Sequence, residues 1–98
     1  MTSDDARRKK LKLRAWRRGF READLILGPF ADSHVADFSD AELDWFEALL
    51  DEADQDVYGW ILEREPTPAP FDGPLMNKLK AFRDEAYKGI TGGDVGNG

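Results

Sequence analysis

Apolar residues recur at spacings of three and four along most of the chain, which is the period of helices that pack through one face. Over residues 4–17, Leu11 and Ala15 lie four apart, and Leu13 and Trp16 lie three apart. These pairs predict a first helix that packs through a narrow apolar stripe and is basic elsewhere.

A second helix is predicted over residues 20–31, after Gly19 interrupts the pattern of the first. Gly28 and Pro29 lie late in this helix. Because proline lacks an N–H donor and disfavours a helical residue before it, the pattern predicts a kink or an early end there.

A third helix begins with the sequence of a capping box, in which Ser39 and Glu42 are three residues apart. The apolar spacing carries this helix to about Glu52. Asp54 is suited to cap a short fourth helix that is rich in aromatic and aliphatic residues.

Alternating prolines make residues 65–74 an extended connector, and Pro74 suits the first turn of a fifth helix that ends near Lys88. Residues 89–98 are rich in glycine and predict a disordered tail. Since period-two alternation is missing, the expected fold is all-α: a small antiparallel bundle of four to five short helices within a single domain at residues 1–88.

Composition removes several classes of function. The 98 residues contain no Cys and one His, so disulfides, thiolate chemistry and structural zinc are excluded. No apolar run approaches the roughly 20 residues of a membrane helix, and the first residues do not resemble a secretory signal. We therefore expect a soluble, cytoplasmic protein without membrane insertion.

Charge is distributed very unevenly. Residues 1–21 carry nine Lys and Arg against two Asp, whereas residues 22–63 carry thirteen Asp and Glu and no Lys or Arg. The basic segment therefore meets an acidic partner or is compensated by the acidic body of its own chain. A nucleic-acid ligand is a weaker alternative, because the net charge of −6 repels phosphate from other directions.

Catalytic and metal sites are not expected. His34 has no Glu three residues before it and falls in a loop-like stretch, where it is expected to be a surface residue. The acidic cluster between helices three and four lacks the spacing of a calcium loop and is expected to cap helix four; it consists of Asp51, Glu52, Asp54 and Asp56.

The junction of the first two helices carries the most distinctive local sequence, in which Arg18, Gly19 and Glu22 stand among further charges. One interpretation is that an exposed Arg beside an exposed Glu binds a protein surface. The other is that Gly19 only turns the chain, while Glu22 favours the start of helix two and Arg18 the end of helix one.

These residues match an RGxxE motif, and the match extends along the chain in order and spacing. Asp24 follows the motif, a Pro-Phe pair stands at 29–30, the helix start at 38–42 resembles L-S-D-x-E, and residues 49–61 resemble LLxxxDxDLxxWL. Over about residues 7–64 the chain thus resembles the succinate dehydrogenase FAD assembly factors, the bacterial SdhE and mitochondrial assembly factor family.

The resemblance implies a non-enzymatic factor that binds the flavoprotein subunit of succinate dehydrogenase, or of fumarate reductase, and promotes covalent attachment of FAD. It implies that Arg18, Gly19 and Glu22 have the family's partner-binding role. Phe20 and Arg21 occupy the variable positions of the motif, and Arg17 and Asp24 are expected as flanking contacts. Neither a catalytic residue nor a stably bound cofactor or metal is expected in this chain.

Two matters stay open at this point. A small regulatory protein that binds nucleic acid, or acts as an antitoxin-like partner through its basic first helix, is the alternative function. A bundle of this size can be a monomer, which we expect, but exposed aromatic surface on helices three and four could support a dimer.

Overall fold

Five α-helices make up most of the chain in the computed structural model, which describes the backbone of residues 3–97 and the side chains of residues 5–85. No strand occurs within that backbone, so the all-α prediction is confirmed. Two short 3₁₀ turns, Val35–Asp37 and Ala69–Phe71, lie between helices. The helices are α1 (Ser3–Trp16), α2 (Arg21–His34), α3 (Asp40–Leu50), α4 (Asp54–Ile61) and α5 (Pro74–Asn97).

Helices α1 and α3 run parallel. Arg7 of α1 pairs with Asp44 of α3 at 2.7 Å, and Arg14, two turns later in α1, pairs with Asp51 directly after α3 at 2.6 Å. The partners therefore advance in the same direction along both helices. This arrangement follows from two successive reversals of the chain, one before and one after α2.

The core is apolar and has an aromatic centre. The Phe30 ring lies between those of Phe38, Phe46 and Phe82, with centroid separations of 6.2, 6.0 and 5.8 Å. Among the residues whose side chains are described, no polar or charged one is buried as a whole residue, although the side chain of Arg18 is only 6% exposed. The largest fully buried side chains are Phe30, Phe46, Leu11, Ile26, Leu27, Leu43, Leu49, Ile61, Met76, Leu79, Val35 and Val57.

The sequence predicted a helix over residues 20–31 with a kink or an early end at Pro29, whereas helix α2 does not end there and continues to His34. Proline inside a helix costs about 3 kcal/mol, because it removes one backbone hydrogen bond and its ring clashes with the preceding turn. Burying Phe30 contributes about 2–3 kcal/mol, and the burial of Ala31 and Val35 adds to this, so burial of the residues after Pro29 offsets the cost of the proline. His34 accordingly ends a helix instead of lying in a surface loop, and its ring packs 4.6 Å from that of Phe30.

The boundaries of α3 and α4 confirm one capping prediction and contradict another. Ser39 accepts a hydrogen bond from the Glu42 backbone, and the Glu42 side chain accepts one from the Ser39 backbone, which completes the predicted capping box. Helix α3 ends at Leu50, before the predicted Glu52. The N-cap of α4 is Ala53, so the prediction that Asp54 caps this helix is wrong.

The proline-rich connector is extended, as predicted, apart from the turn at Ala69–Phe71. Phe71 is buried and stacks on Trp60 with a centroid separation of 5.4 Å, which covers the apolar surface of α4. Helix α5 continues to Asn97, so the end predicted near Lys88 is wrong. The division into a bundle at 1–88 and a disordered tail at 89–98 stays a prediction.

Helix α1 buries only half of its expected stripe. Leu11 and Ala15 are buried, whereas Leu13 and Trp16 are exposed. At about 100° per residue, Leu13 and Trp16 stand roughly 200° and 140° around the helix from Leu11. The two pairs therefore cannot face one core.

The sequence suggested that aromatic side chains of α3 and α4 are exposed, but the two tryptophans of these helices are not. Trp45 is half-buried and packs against Phe71, and Trp60 is buried. Both side chains are covered by the connector that returns from α4 to α5.

None of the helices, over the residues that the structure describes, combines the length and the apolar composition of a membrane-spanning segment.

Candidate functional site: the turn between α1 and α2

Residues 17–20 form the turn that joins α1 to α2. Gly19 has a φ of +89°, a conformation that strains residues with a Cβ. The backbone N–H of Arg18 donates to Oδ1 of Asp24 at 3.2 Å, and the N–H of Asp24 donates to the Phe20 carbonyl at 2.9 Å. The carboxylate of Asp24 therefore holds the turn closed.

The side chain of Arg18 points into the protein and is only 6% exposed. Nη1 donates to the Leu50 carbonyl at 2.7 Å, and Nη2 donates to the Glu52 carbonyl at 2.8 Å. Nη2 also pairs with Oδ1 of Asp54 at 2.6 Å. One guanidinium thus joins the end of α3 to the start of α4, and its Nε is buried without a hydrogen-bond partner.

Neither interpretation of Arg18 from the sequence describes this arrangement. Arg18 is not an exposed charge beside Glu22, and it does not stabilise the end of helix α1. Its hydrogen bonds go to carbonyls at the end of α3, where a helix leaves such groups without internal partners. The negative ends of these carbonyls favour a cation, as does the carboxylate of Asp54.

The other motif residues divide into exposed and half-buried groups. Arg17, Arg21 and Glu22 are exposed on either side of Gly19. Glu22 lies in the first turn of α2, where the helix dipole favours a negative charge, as expected. Phe20 instead packs against the core, with its ring 5.0 Å from that of Tyr58. The structure therefore presents three charges around the turn.

A cavity of about 360 Å³ lies beside the turn, between α1 and the α3–α4 connection. Arg14, Arg17 and Arg18 line one part, and Glu52 and Asp54 line another. Because both signs of charge surround it, the cavity provides no strong positive field for an anionic cofactor.

Most arginines of the basic segment are compensated within the chain. Arg7 pairs with Asp44 and with Glu47 at 2.7 and 2.8 Å, and these hydrogen bonds raise the pKa of Arg7 above its ordinary value. Arg8 donates to the carbonyls of Val35, Ala36 and Phe38, and Arg14 and Arg18 are paired as described above. Intramolecular compensation therefore accounts for this face of α1.

Arg83 of α5 repeats the role of Arg18 at another helix end. It donates to the Ile61 carbonyl at the end of α4 at 2.8 Å, and to Glu63 at 3.0 Å. Burial lowers the pKa of Arg83. Hydrogen bonds to Asp84 and Glu63 together raise it by more than burial lowers it, so the pKa lies above its ordinary value. Arginines thus complete the ends of both α3 and α4.

Two members of the acidic cluster after α3 are partners for one arginine of α1 and one of the turn that follows it. Asp51 pairs with Arg14 and Asp54 with Arg18, so these carboxylates accept arginines and do not cap helix α4 through their side chains. Among the residues that the structure describes, no group of His, Asp and Glu is arranged to hold a metal ion.

Three exposed hydrophobic residues were not identified as a surface from the sequence. Leu13, Trp16 and Leu25 have exposed fractions of 54%, 40% and 42%. The sequence did indicate the exposure of Leu13 and Trp16 through their angular positions around α1 relative to Leu11. Side chains on opposite sides of one helix cannot share a core. The same indication existed for Leu25, which stands roughly 200° around α2 from the buried Leu27 and roughly 140° from the buried Phe30.

Comparison with known proteins identifies similar chains. A family described as "Flavinator of succinate dehydrogenase" matches residues 9–83. The chain is 36% identical over 85 residues to "Succinate dehydrogenase assembly factor 2, mitochondrial" of Debaryomyces hansenii, which covers 86% of this chain and 60% of that protein. The proteins of the same name from Candida glabrata and Danio rerio are 35% and 32% identical, over 90% and 80% of this chain and 60% and 51% of their own lengths. The chain thus spans between about half and three-fifths of these relatives.

Proposed function

The chain belongs to the family of flavinators of succinate dehydrogenase, and we propose that it promotes covalent attachment of FAD to the flavoprotein subunit of that enzyme. The observation that carries this proposal is the extent of the family match. Residues 9–83 include the turn between α1 and α2, the capping box and the part of α5 that packs on α2. The match therefore covers the packed bundle together with its exposed turn.

We propose that the chain acts as an assembly factor and supplies no catalytic group. The resemblance described above implies that FAD becomes attached to the flavoprotein and not to the factor, so the factor needs only to bind and orient its client. Holding reacting groups in a productive orientation can lower a barrier by several kcal/mol, about 7–11 in favourable cases. A small bundle that is fixed by its core and its buried arginine is suited to such positioning.

The motif residues have different parts in this proposal. Glu22, Arg17 and Arg21 are exposed and contact the client directly. Arg18 and Asp24 hold the turn from within the protein, so they affect the client through the position of these three charges. The support for this division is the burial of Arg18 and the hydrogen bond between its backbone N–H and Asp24.

The test is covalent flavin fluorescence of the flavoprotein subunit in a denaturing gel, from host cells that lack their own factor. Wild-type chain should restore the fluorescence, and Glu22→Ala should weaken it. Glu85→Ala is the matched control, because it removes an exposed glutamate on α5 and should leave flavinylation unchanged. Absence of restoration by a folded wild-type chain, with a client from the same organism, would overturn the proposal.

Further details follow from the same proposal. Fumarate reductase is a related client, and the chain is expected to act as a cytoplasmic monomer that binds no flavin stably. We expect no nucleic-acid ligand, because several arginines of α1 are already paired within the fold and the net charge is −6. Retention on heparin or DNA at low salt, lost steeply as salt rises, would instead support the regulatory alternative.

A further inference from the structure

The large hydrophobic side chains that are exposed in the described part of the chain all belong to one surface. Leu13 and Trp16 are one helical turn apart on α1. The indole of Trp16 lies over Gly28 of α2, and Leu25 stands one turn before Gly28 on that helix. An apolar stripe therefore crosses from α1 to α2 on the outside of the bundle.

Cations surround this stripe. Lys9 and Lys10 stand about one turn before Leu13, Arg17 stands one turn after it, and Arg21 stands one turn before Leu25. None of these four, nor Lys12, forms an ion pair with a described side chain, in contrast to Arg7 and Arg14 on another side of α1 and to Arg18 in the turn. We call Leu13, Trp16 and Leu25, together with Lys9, Lys10, Lys12, Arg17 and Arg21, the docking face.

Such a surface has the composition of a protein interface, with an apolar centre, a tryptophan, arginines and a charged rim. The motif turn alone is too small for a stable complex, since interfaces of ordinary size involve about 20–30 residues on each side. The docking face continues from the turn without a gap, because Arg17 and Arg21 belong to both and Glu22 lies one turn before Leu25.

We propose that the docking face binds the flavoprotein client through an apolar patch bordered by carboxylates, a proposal that rests on the function proposed above. Carboxylates of the client match the unpaired lysines and arginines, and its apolar side chains cover Leu13, Trp16 and Leu25. The exposed turn then determines orientation, while the docking face provides most of the contact area.

A protein fits this surface better than an anionic membrane. The indole N–H of Trp16 already donates to Asp32 at 3.1 Å, so a carboxylate lies at the edge of the apolar stripe. Glu22 is exposed nearby on α2. Both carboxylates repel lipid phosphates, whereas a protein can place cations opposite them.

The experiment measures the Kd between the purified chain and the flavoprotein subunit before flavinylation. Leu13→Asp and Leu25→Glu place a negative charge in the apolar stripe at exposed positions, and each should raise Kd by about tenfold or more. Ala48→Asp adds the same charge at an exposed site on α3 and should change Kd less than about twofold. Thermal unfolding of every variant checks that the bundle is intact.

A second pair of variants tests the cationic rim. The double variant Lys9→Glu, Arg21→Glu should associate with the client about tenfold more slowly than wild type at low salt. This difference should shrink as the salt concentration rises. Lys80→Glu on α5 is the control for a general effect of charge and should leave the association rate within about twofold of wild type.

The outcomes separate this proposal from the proposed function. Unchanged Kd in Leu13→Asp and Leu25→Glu, with Glu22→Ala still reducing flavinylation, would overturn the docking face alone. Raised Kd in these variants, with no covalent flavin produced by the wild type, would retain the docking face and overturn the flavinylation role. A wild-type chain that does not bind the client would overturn both.

Two other occupants are tested with the same variants. Sedimentation of the wild-type chain with vesicles of phosphatidylglycerol and phosphatidylcholine, lost in Leu13→Asp, would assign the surface to a membrane. Self-association in sedimentation velocity, lost in the same variant, would assign it to a second copy of the chain. Either result, together with an unchanged Kd for the client, would overturn the proposal.

Discussion

The indole ring of Trp16 lies against Gly28 so closely that a Cβ built on Gly28 would come within 2.3 Å of the ring. Cβ atoms essentially never approach the non-bonded atoms of other residues at such a distance. Glycine is therefore required in the middle of α2 by a side chain from α1, even though it is a poor helix former. The contact also explains how Trp16 can be 40% exposed and still occupy a defined position.

Replacing Gly28 with alanine should destabilise the protein by about 1–2 kcal/mol. Displacing the indole costs about 1–3 kcal/mol as overpacking, and the higher helix propensity of alanine recovers up to about 1 kcal/mol. Urea unfolding gives the free energy. In a Trp16→Ala background the same change should be stabilising, and an equal loss in both backgrounds would contradict the steric explanation.

Arg18→Ala should lower the free energy of unfolding by about 2–3 kcal/mol. The substitution leaves the carbonyls of Leu50 and Glu52 and the carboxylate of Asp54 without this partner in a partly buried region. Arg18→Lys should recover only part of the loss, because an ammonium group cannot reproduce the planar fork of the guanidinium.

Arg17→Ala is the control for Arg18. Arg17 is exposed and forms no ion pair with the described side chains, so its removal should change stability by less than about 0.5 kcal/mol. The two variants also differ in their expected effect on client binding, where Arg17 acts directly. Equal stability losses for Arg17→Ala and Arg18→Ala would refute the structural role of Arg18.

Gly19→Ala should cost about 1–2 kcal/mol of stability through backbone strain. No atom outside residues 18–20 lies within 4 Å of the position that a Cβ would take, so crowding by other parts of the protein does not contribute. Gly19→Asn should be milder than Gly19→Ala, because asparagine tolerates positive φ better. Chemical denaturation of both variants measures the difference, and the reverse order would argue against strain.

Ser39→Ala should destabilise the protein by about 1 kcal/mol, because it removes the acceptor for the Glu42 backbone N–H. Ser39→Asp supplies an alternative acceptor at the same position and should preserve most of the stability. Thermal unfolding monitored by circular dichroism is sufficient for this comparison. Similar losses in both variants would show that the serine hydroxyl contributes little as a cap.

Local patterns in the sequence predicted much of the fold. The capping box at Ser39 was identified correctly because both of its hydrogen bonds join residues three apart. The continuation of α2 to His34 was not, because the burial of Phe30 depends on rings from α3 and α5. The local cost of Pro29 was visible in the sequence, and the distant contacts that compensate for it were not.

The candidate site divides in the same way. The sequence identified the turn at Gly19 and the charges around it, and the resemblance to a known family rests on residues that can be compared position by position. It did not reveal that Arg18 points inward, because the partners of its guanidinium lie 32 to 36 positions further along the chain. Nor did it reveal the shared surface of Trp16 and Leu25.

The sequence by itself determined the class of fold, the approximate helices and the family, because helical periodicity, caps and motifs depend on residues close together in the chain. Only the tertiary structure decided which motif charges face outward and which hydrophobic residues stay exposed. Those outcomes depend on how α1 packs against α2 and α3. Such packing is a property of contacts between distant segments, whereas a local pattern gives only the relative phase of side chains on one helix.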